Sequence, residues 1–226
     1  MTTSRREFLD RLAASGIALG ALPFASGVFP DALEAQPAAQ GEWDTKWPAK
    51  LTGKVRAVYD VPEVDSGYGI WRSSVWASQY AETMRVPVTE TSTALVLRHN
   101  GIVLAMQQSF WDKYGIGKAH GVMHPMTGQA TNRNPGLMGV ADGVPEPFAS
   151  FAIPQFIARG GVVLACNLAL QMDVAGMIQK TDGVSEAEAT RLARSLMIPG
   201  VILQPSGVFA AILAQHAGAA RYVHSN

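Results

Sequence analysis

The sequence predicts an α/β protein, a three-layer α/β/α sandwich around a mainly parallel five-stranded sheet. Three observations predict it. Short β-branched runs alternate with helical segments of about ten to sixteen residues, the pattern of βαβ units with right-handed crossovers. One of those runs, Thr93-Ala94-Leu95-Val96-Leu97, is continuously apolar, as expected of a strand buried on both faces of a parallel sheet. The 226 residues are 48% hydrophobic and 16% charged, enough apolar surface for one good core.

The elements follow in order. Residues 1–35 read as an address rather than as part of the fold. Ser4-Arg5-Arg6-Glu7-Phe8-Leu9 resembles a twin-arginine export signal, and a moderately apolar run from Leu12 to Phe29 follows it. That run is diluted by Ser15, Gly16, Gly20 and Ser26, so it is less apolar than a membrane span of about 20 residues. Leu33-Glu34-Ala35 offers a cleavage site, and residues 36–50 read as a linker. The expected location is periplasmic or otherwise extracytoplasmic, with no membrane span once the signal is removed. Residues 51–226 are then a single α/β domain.

Lys54 to Val61 is the first strand, closed by Pro62. Gly69 to Met84 reads as a helix that Pro87 ends. Thr93 to Leu97 is the second strand, and Arg98-His99-Asn100-Gly101 forms its turn. Ile102, Val103, Met106 and Phe110 recur at helical spacing. A polar, turn-rich insert follows at about 115–147; a loop of that length is usually a lid, a binding loop or an oligomer contact. Ala149 to Ala158 is a short helix ended by Gly160-Gly161, and Val162 to Ala165 is the third strand. Asn167 is a suitable N-cap for a helix over Leu168 to Lys180. Ser185-Glu186-Ala187-Glu188 fits a capping box, and Ala189, Leu192, Ala193 and Leu196 make its apolar stripe. Val201 to Leu203 is the fourth strand, Ser206 caps a helix over Val208 to Gln215, and Arg221 to Val223 adds a fifth strand.

In open α/β sheets ligands bind beyond the carboxyl ends of the strands. Three loops follow strands directly: Cys166-Asn167, His99-Asn100-Gly101, and Gln204-Pro205-Ser206-Gly207. The candidate site therefore combines Cys166 as the chemical group with Asn167, His99, Asn100, Gly101, Pro205, Ser206 and Gly207 as binding positions.

The tail GVILQPSGVFAAILAQHAGAARYV, residues 200–223, and a cysteine directly after the third strand resemble the DsrE/DsrF-like proteins of sulfur relay. The resemblance covers most of residues 54–224. It implies a DsrEFH-like fold, a trimer or hexamer, a sulfur-donor or acceptor partner, and a cysteine that carries persulfide sulfur; that cysteine corresponds to Cys166. The export signal and the 115–147 insert depart from the relay members, which work in the cytoplasm.

Composition and motifs narrow the alternatives. With 18 basic and 18 acidic residues and no block of like charge, nothing makes the basic footprint of a nucleic-acid binder. One cysteine excludes an internal disulfide. No G-x-G-x-x-G, P-loop or G-x-S-x-G is present, and no cofactor is implied. His120 and His124, joined by His99, could make a three-histidine metal set, although Gly121 and Pro125 favour a loop and no carboxylate or cysteine adjoins. Arg133 could pair with an anion. Ser206 is fully explained as a cap. Two functions follow as expectations: an exported sulfur carrier or thiol-based component working through Cys166, or a non-catalytic oligomeric module that binds a small ligand or partner.

Overall fold

The computed structural model describes residues 43–225, so the expected export signal and most of the linker lie outside the described residues. Five strands form one sheet: β1 (Val55–Val61), β2 (Thr91–Leu97), β3 (Val162–Cys166), β4 (Ile202–Gln204) and β5 (Arg221–His224). All are parallel, in the order β4-β3-β2-β1-β5. The fold is thus an α/β fold with an all-parallel sheet flanked by helices, and every expected strand is present within two residues of its expected bounds.

Period-two alternation divides the strands between two faces. Val58, Ala94, Val96, Val162 and Leu164 meet the Gly207–His216 helix through Ala210 and Ala214, together with Trp47 and Leu51. Tyr59, Val61, Leu95, Leu97, Val163 and Ala165 join the larger cluster on the other face, with Ile70 of the Tyr68–Met84 helix and Phe110. Leu95 and Leu97 are fully buried, each contributing about 1.5–3 kcal/mol. Trp47, near the end of the segment read as linker, is also fully buried, and its indole N–H donates to Gln204 Oε1 at 3.1 Å.

The crossovers fix where the strand connections part. The helices after β3 pack into the larger cluster through Leu170, Val174, Ile178, Ala189 and Ala193. The helix after β4 packs on the opposite face. Neighbouring strands whose connections leave to opposite faces make a topological switch point. Here it lies between the carboxyl ends of β3 and β4, where Cys166 pairs in register with Gln204.

Three local expectations need correction. The apolar spacing after β2 does not make one continuous helix: His99–Ala105 is a tight 3-10 segment and Gln108–Tyr114 a separate helix. Between them Gln107 N–H donates to Leu196 O, and Ile198 N–H to Ala105 O, so a neighbouring chain segment takes the bonds a helix would use. Asn167 is not the cap of the helix after β3. Cys166 is, with Sγ accepting from Ala169 N–H at 3.4 Å, and the helical run 167–182 passes through a π turn at Leu170–Ala175.

The insert is also less loose than its composition suggests. Asn134 is fully buried, donating to Leu104 O and Met106 O and accepting from Gly136 N–H. Arg133 is spent on Asp142, Gln108 and Leu137 O, rather than held ready for an anion. The insert is stitched to the body between β2 and β3.

Candidate functional site

Cys166 ends β3 and is 6% exposed. Its sulfur accepts an amide N–H of the first helical turn, so the thiol lies within the positive end of that helix. Asn167, also buried, has Oδ1 accepting from Arg194 Nη2 at 3.3 Å. The sequence within five residues of Cys166 offers no basic group; the fold brings one next door from the Glu186–Ser195 helix.

The β2 end supplies His99, Asn100 and Gly101, and each has a distinct role. His99 holds a left-handed backbone, φ +50°, uncommon for a residue with a Cβ, and its side chain is exposed. Asn100 Nδ2 donates to Glu63 Oε2 at 2.7 Å, joining the β1 and β2 loops. Gly101 donates to Pro62 O at 2.8 Å; a Cβ there would stand 2.4 Å from Val61 O, so only glycine fits.

Two further groups face this edge: Asp173, which the sequence reading did not single out, and His120, which it considered only as a metal ligand. Asp173, in the π turn, has its carboxyl pushed up by burial, with the His99 charge opposing, although the residue still reaches solvent. His120 from the insert is held down by burial, while Glu63 pulls it up. Glu63, His99, Asn100, His120 and Asp173 are therefore electrostatic or hydrogen-bonded neighbours around the larger-cluster side of the sheet's carboxyl edge. The π turn is the one local signal tied to Asp173, and a sequence pattern does not reveal it.

The other side of the edge carries a separate network. Asp60, at the end of β1, is 2% exposed. Arg98 grips it in bidentate fashion, Nε to Oδ1 at 2.6 Å and Nη2 to Oδ2 at 2.7 Å. Tyr222 O–H donates to Oδ2 at 2.5 Å, and His224 Nδ1 stands 3.5 Å from it. Burial alone would raise the Asp60 carboxyl; the bonds from Arg98 and Tyr222 outweigh it and hold the group below its usual range. Arg98 also packs on Gly207, where a Cβ would lie 2.6 Å from Arg98 Cβ. Ser206 Oγ accepts from Phe209 N–H at 3.0 Å and so caps its helix, as expected. Pro205, Ser206 and Gly207 thus adjoin the Asp60–Arg98 network and are occupied in building the fold.

The three strand-end loops do share one edge, but the sheet separates them into these two groups. Protein-family models, curated proteins and solved structures were compared with the chain, and none matches. The histidine set does not assemble. His124 Nε2 bonds Asp142 O at 2.7 Å, and its Nδ1 accepts from Met126 and Thr127 N–H, so both nitrogens organise the insert. Among the described residues no group of three His, Cys, Asp or Glu side chains is placed to hold a metal ion, and no helix is long and apolar enough to cross a membrane.

Proposed function

We propose that this chain is an exported DsrE-like protein in which Cys166 carries persulfide sulfur or acts as a thiol component of extracytoplasmic sulfur chemistry. The observation that carries the reading is the Cys166 sulfur as helix N-cap, at the switch point between the carboxyl ends of β3 and β4. That bond fixes the sulfur at the entry of the helix, and the thiolate is the form of a cysteine that reacts. The step is a displacement. The Cys166 thiolate attacks a sulfane sulfur of a polysulfide, the new S–S bond forms, the donor S–S bond breaks, and the electron pair leaves with the shortened polysulfide. An acceptor thiolate then takes the outer sulfur, returning Cys166 to its thiolate. Burial shields the thiol from over-oxidation outside the cytoplasm. Intact mass after polysulfide treatment tests the reading, with Cys166→Ser as control; a gain of whole sulfur masses confined to the wild type supports it.

The resemblance also implies a homo-oligomer. Its support here is the Gly207–His216 helix, apolar on both sides: Ala210 and Ala214 face the sheet, while Val208 and Ile212 are 61% and 60% exposed. Such a helix is ordinarily buried all round.

The second reading is a non-catalytic binding module, and the 6% exposure of Cys166 favours it. Buried cysteines are commonly inert packing residues. It predicts that Cys166→Ala retains function and that thiol reagents fail to label the native protein.

A further inference from the structure

A second cleft lies at the opposite, amino end of the sheet. It holds about 460 Å³ and runs between the Tyr68–Met84 helix, the start of β2 and the Gly160-Gly161 turn before β3. β3 spans five residues, about 16 Å, which separates this cleft from Cys166. The volume falls within the range of small-molecule sites.

Its chemistry is one-sided. Lys50 and Arg159 stand on its rim, and no Asp or Glu lines it. Glu146 acts on Arg159 electrostatically without lining the cleft. The one hydrogen-bond acceptor that Arg159 engages is a backbone carbonyl, Ser150 O, among the described residues.

The hydroxyls are arranged to complement a polar ligand. Ser92 Oγ accepts from Gly53 N–H at 2.8 Å, and Thr93 Oγ1 accepts from the Trp76 indole at 3.1 Å. Each therefore keeps its proton to donate. Thr91 and Ser150 already donate to backbone carbonyls and so keep lone pairs that can accept. Ser74 also lines the cleft, but its hydroxyl oxygen is closed off from solvent and offers the ligand no bond.

We propose that this cleft binds a small polyhydroxylated anion, a sugar acid or sugar phosphate by class. The anionic group meets Arg159 and Lys50 at the rim. The hydroxyls of the ligand exchange donors and acceptors with Ser92, Thr93 and Thr91, while Phe151 and Phe156 cover its carbon face. The site is independent of Cys166 and of the proposed sulfur chemistry.

Calorimetric titration of the purified chain with gluconate, glucose and inorganic phosphate tests it. Gluconate should bind more tightly than either, because glucose lacks the anion and phosphate lacks the polyol. Arg159→Gln, an exposed change that spares the core, should weaken gluconate about tenfold or more, the worth of a charged hydrogen bond. Lys50→Gln, likewise an exposed change, should weaken it with an unchanged melting temperature, and Cys166→Ser should leave it unaltered. No gluconate binding at millimolar concentration, equal binding of phosphate and gluconate, or binding that survives both Arg159→Gln and Lys50→Gln overturns the proposal.

Discussion

Replacing Arg98 by Met tests how far the carboxyl edge depends on the Asp60 network. The substitution keeps the apolar stem against Gly207 and removes the guanidinium from a carboxylate that is 2% exposed. Breaking a buried pair by deleting one partner costs about 3–5 kcal/mol. Two features place this case at the low end. The Arg98 side chain is 29% exposed, so water already screens the pair, and Tyr222 and His224 stay beside Asp60 Oδ2. The expected loss at neutral pH is about 3 kcal/mol. For a domain of this size that lowers the melting temperature by about 6–12 °C.

The sign of the pH dependence follows from Asp60. Its folded carboxyl lies below the usual range, so its stabilisation is present above the unfolded value of about 3.9 and is lost as pH falls through the folded value. Without Arg98 the carboxyl loses its strongest lowering partner and its folded value rises. The stability gap between wild type and Arg98→Met is therefore widest at neutral pH and narrows as pH falls through the variant's raised value and then the wild type's lowered one. Thermal melts across the acid range measure it. Asp60→Asn/Arg98→Met should recover part of the loss, because no uncompensated charge remains. A loss under about 1 kcal/mol, or a gap that does not change with pH, refutes the network's stabilising role.

Gly101→Ala forces a Cβ to 2.4 Å from Val61 O and should cost about 2–3 kcal/mol in urea unfolding; a cost near zero would mean that the β1 and β2 loops part easily. His99→Gly relieves the left-handed backbone and should stabilise by about 1 kcal/mol, unless the side chain contributes contacts of equal worth. Cys166→Ser keeps an acceptor for Ala169 N–H and should stay within about 1 kcal/mol of wild type, whereas Cys166→Ala loses the cap and should cost about 1 kcal/mol more, read from the same curves. Ile212→Glu should shift sedimentation to a smaller species without lowering helix content; an unchanged sedimentation profile removes that helix from the oligomer contact.

The strands were legible because they are short, β-branched and bounded by Pro or Gly, as at Val61-Pro62 and Gly161-Val162. The Ser185 cap was legible for the same local reason, although only half the box forms: Glu188 turns to Arg191 instead of reaching back. What escaped the sequence depends on register and long-range contact. Asp60 and Tyr222 are 162 residues apart and meet only because β5 lies beside β1. Periodicity gives a face, not a neighbour. Cys166 escaped as a cap because Ser, Thr, Asp and Asn dominate that position, and Asn167 competed for it. The hydroxyl cleft escaped because its lining is scattered from Lys50 to Gly161, and each Ser or Thr taken alone reads as surface.

The central claim concerns the Cys166 thiol, and its reaction with sulfane sulfur is the direct measurement. The native chain is treated with polysulfide, excess reagent is removed, and intact mass is recorded for wild type and Cys166→Ser. The proposal predicts a gain of whole sulfur masses in the wild type alone, reversed by an acceptor thiol. No gain in the native protein, with a gain appearing only after unfolding, would contradict it and leave Cys166 as a packing residue and helix cap.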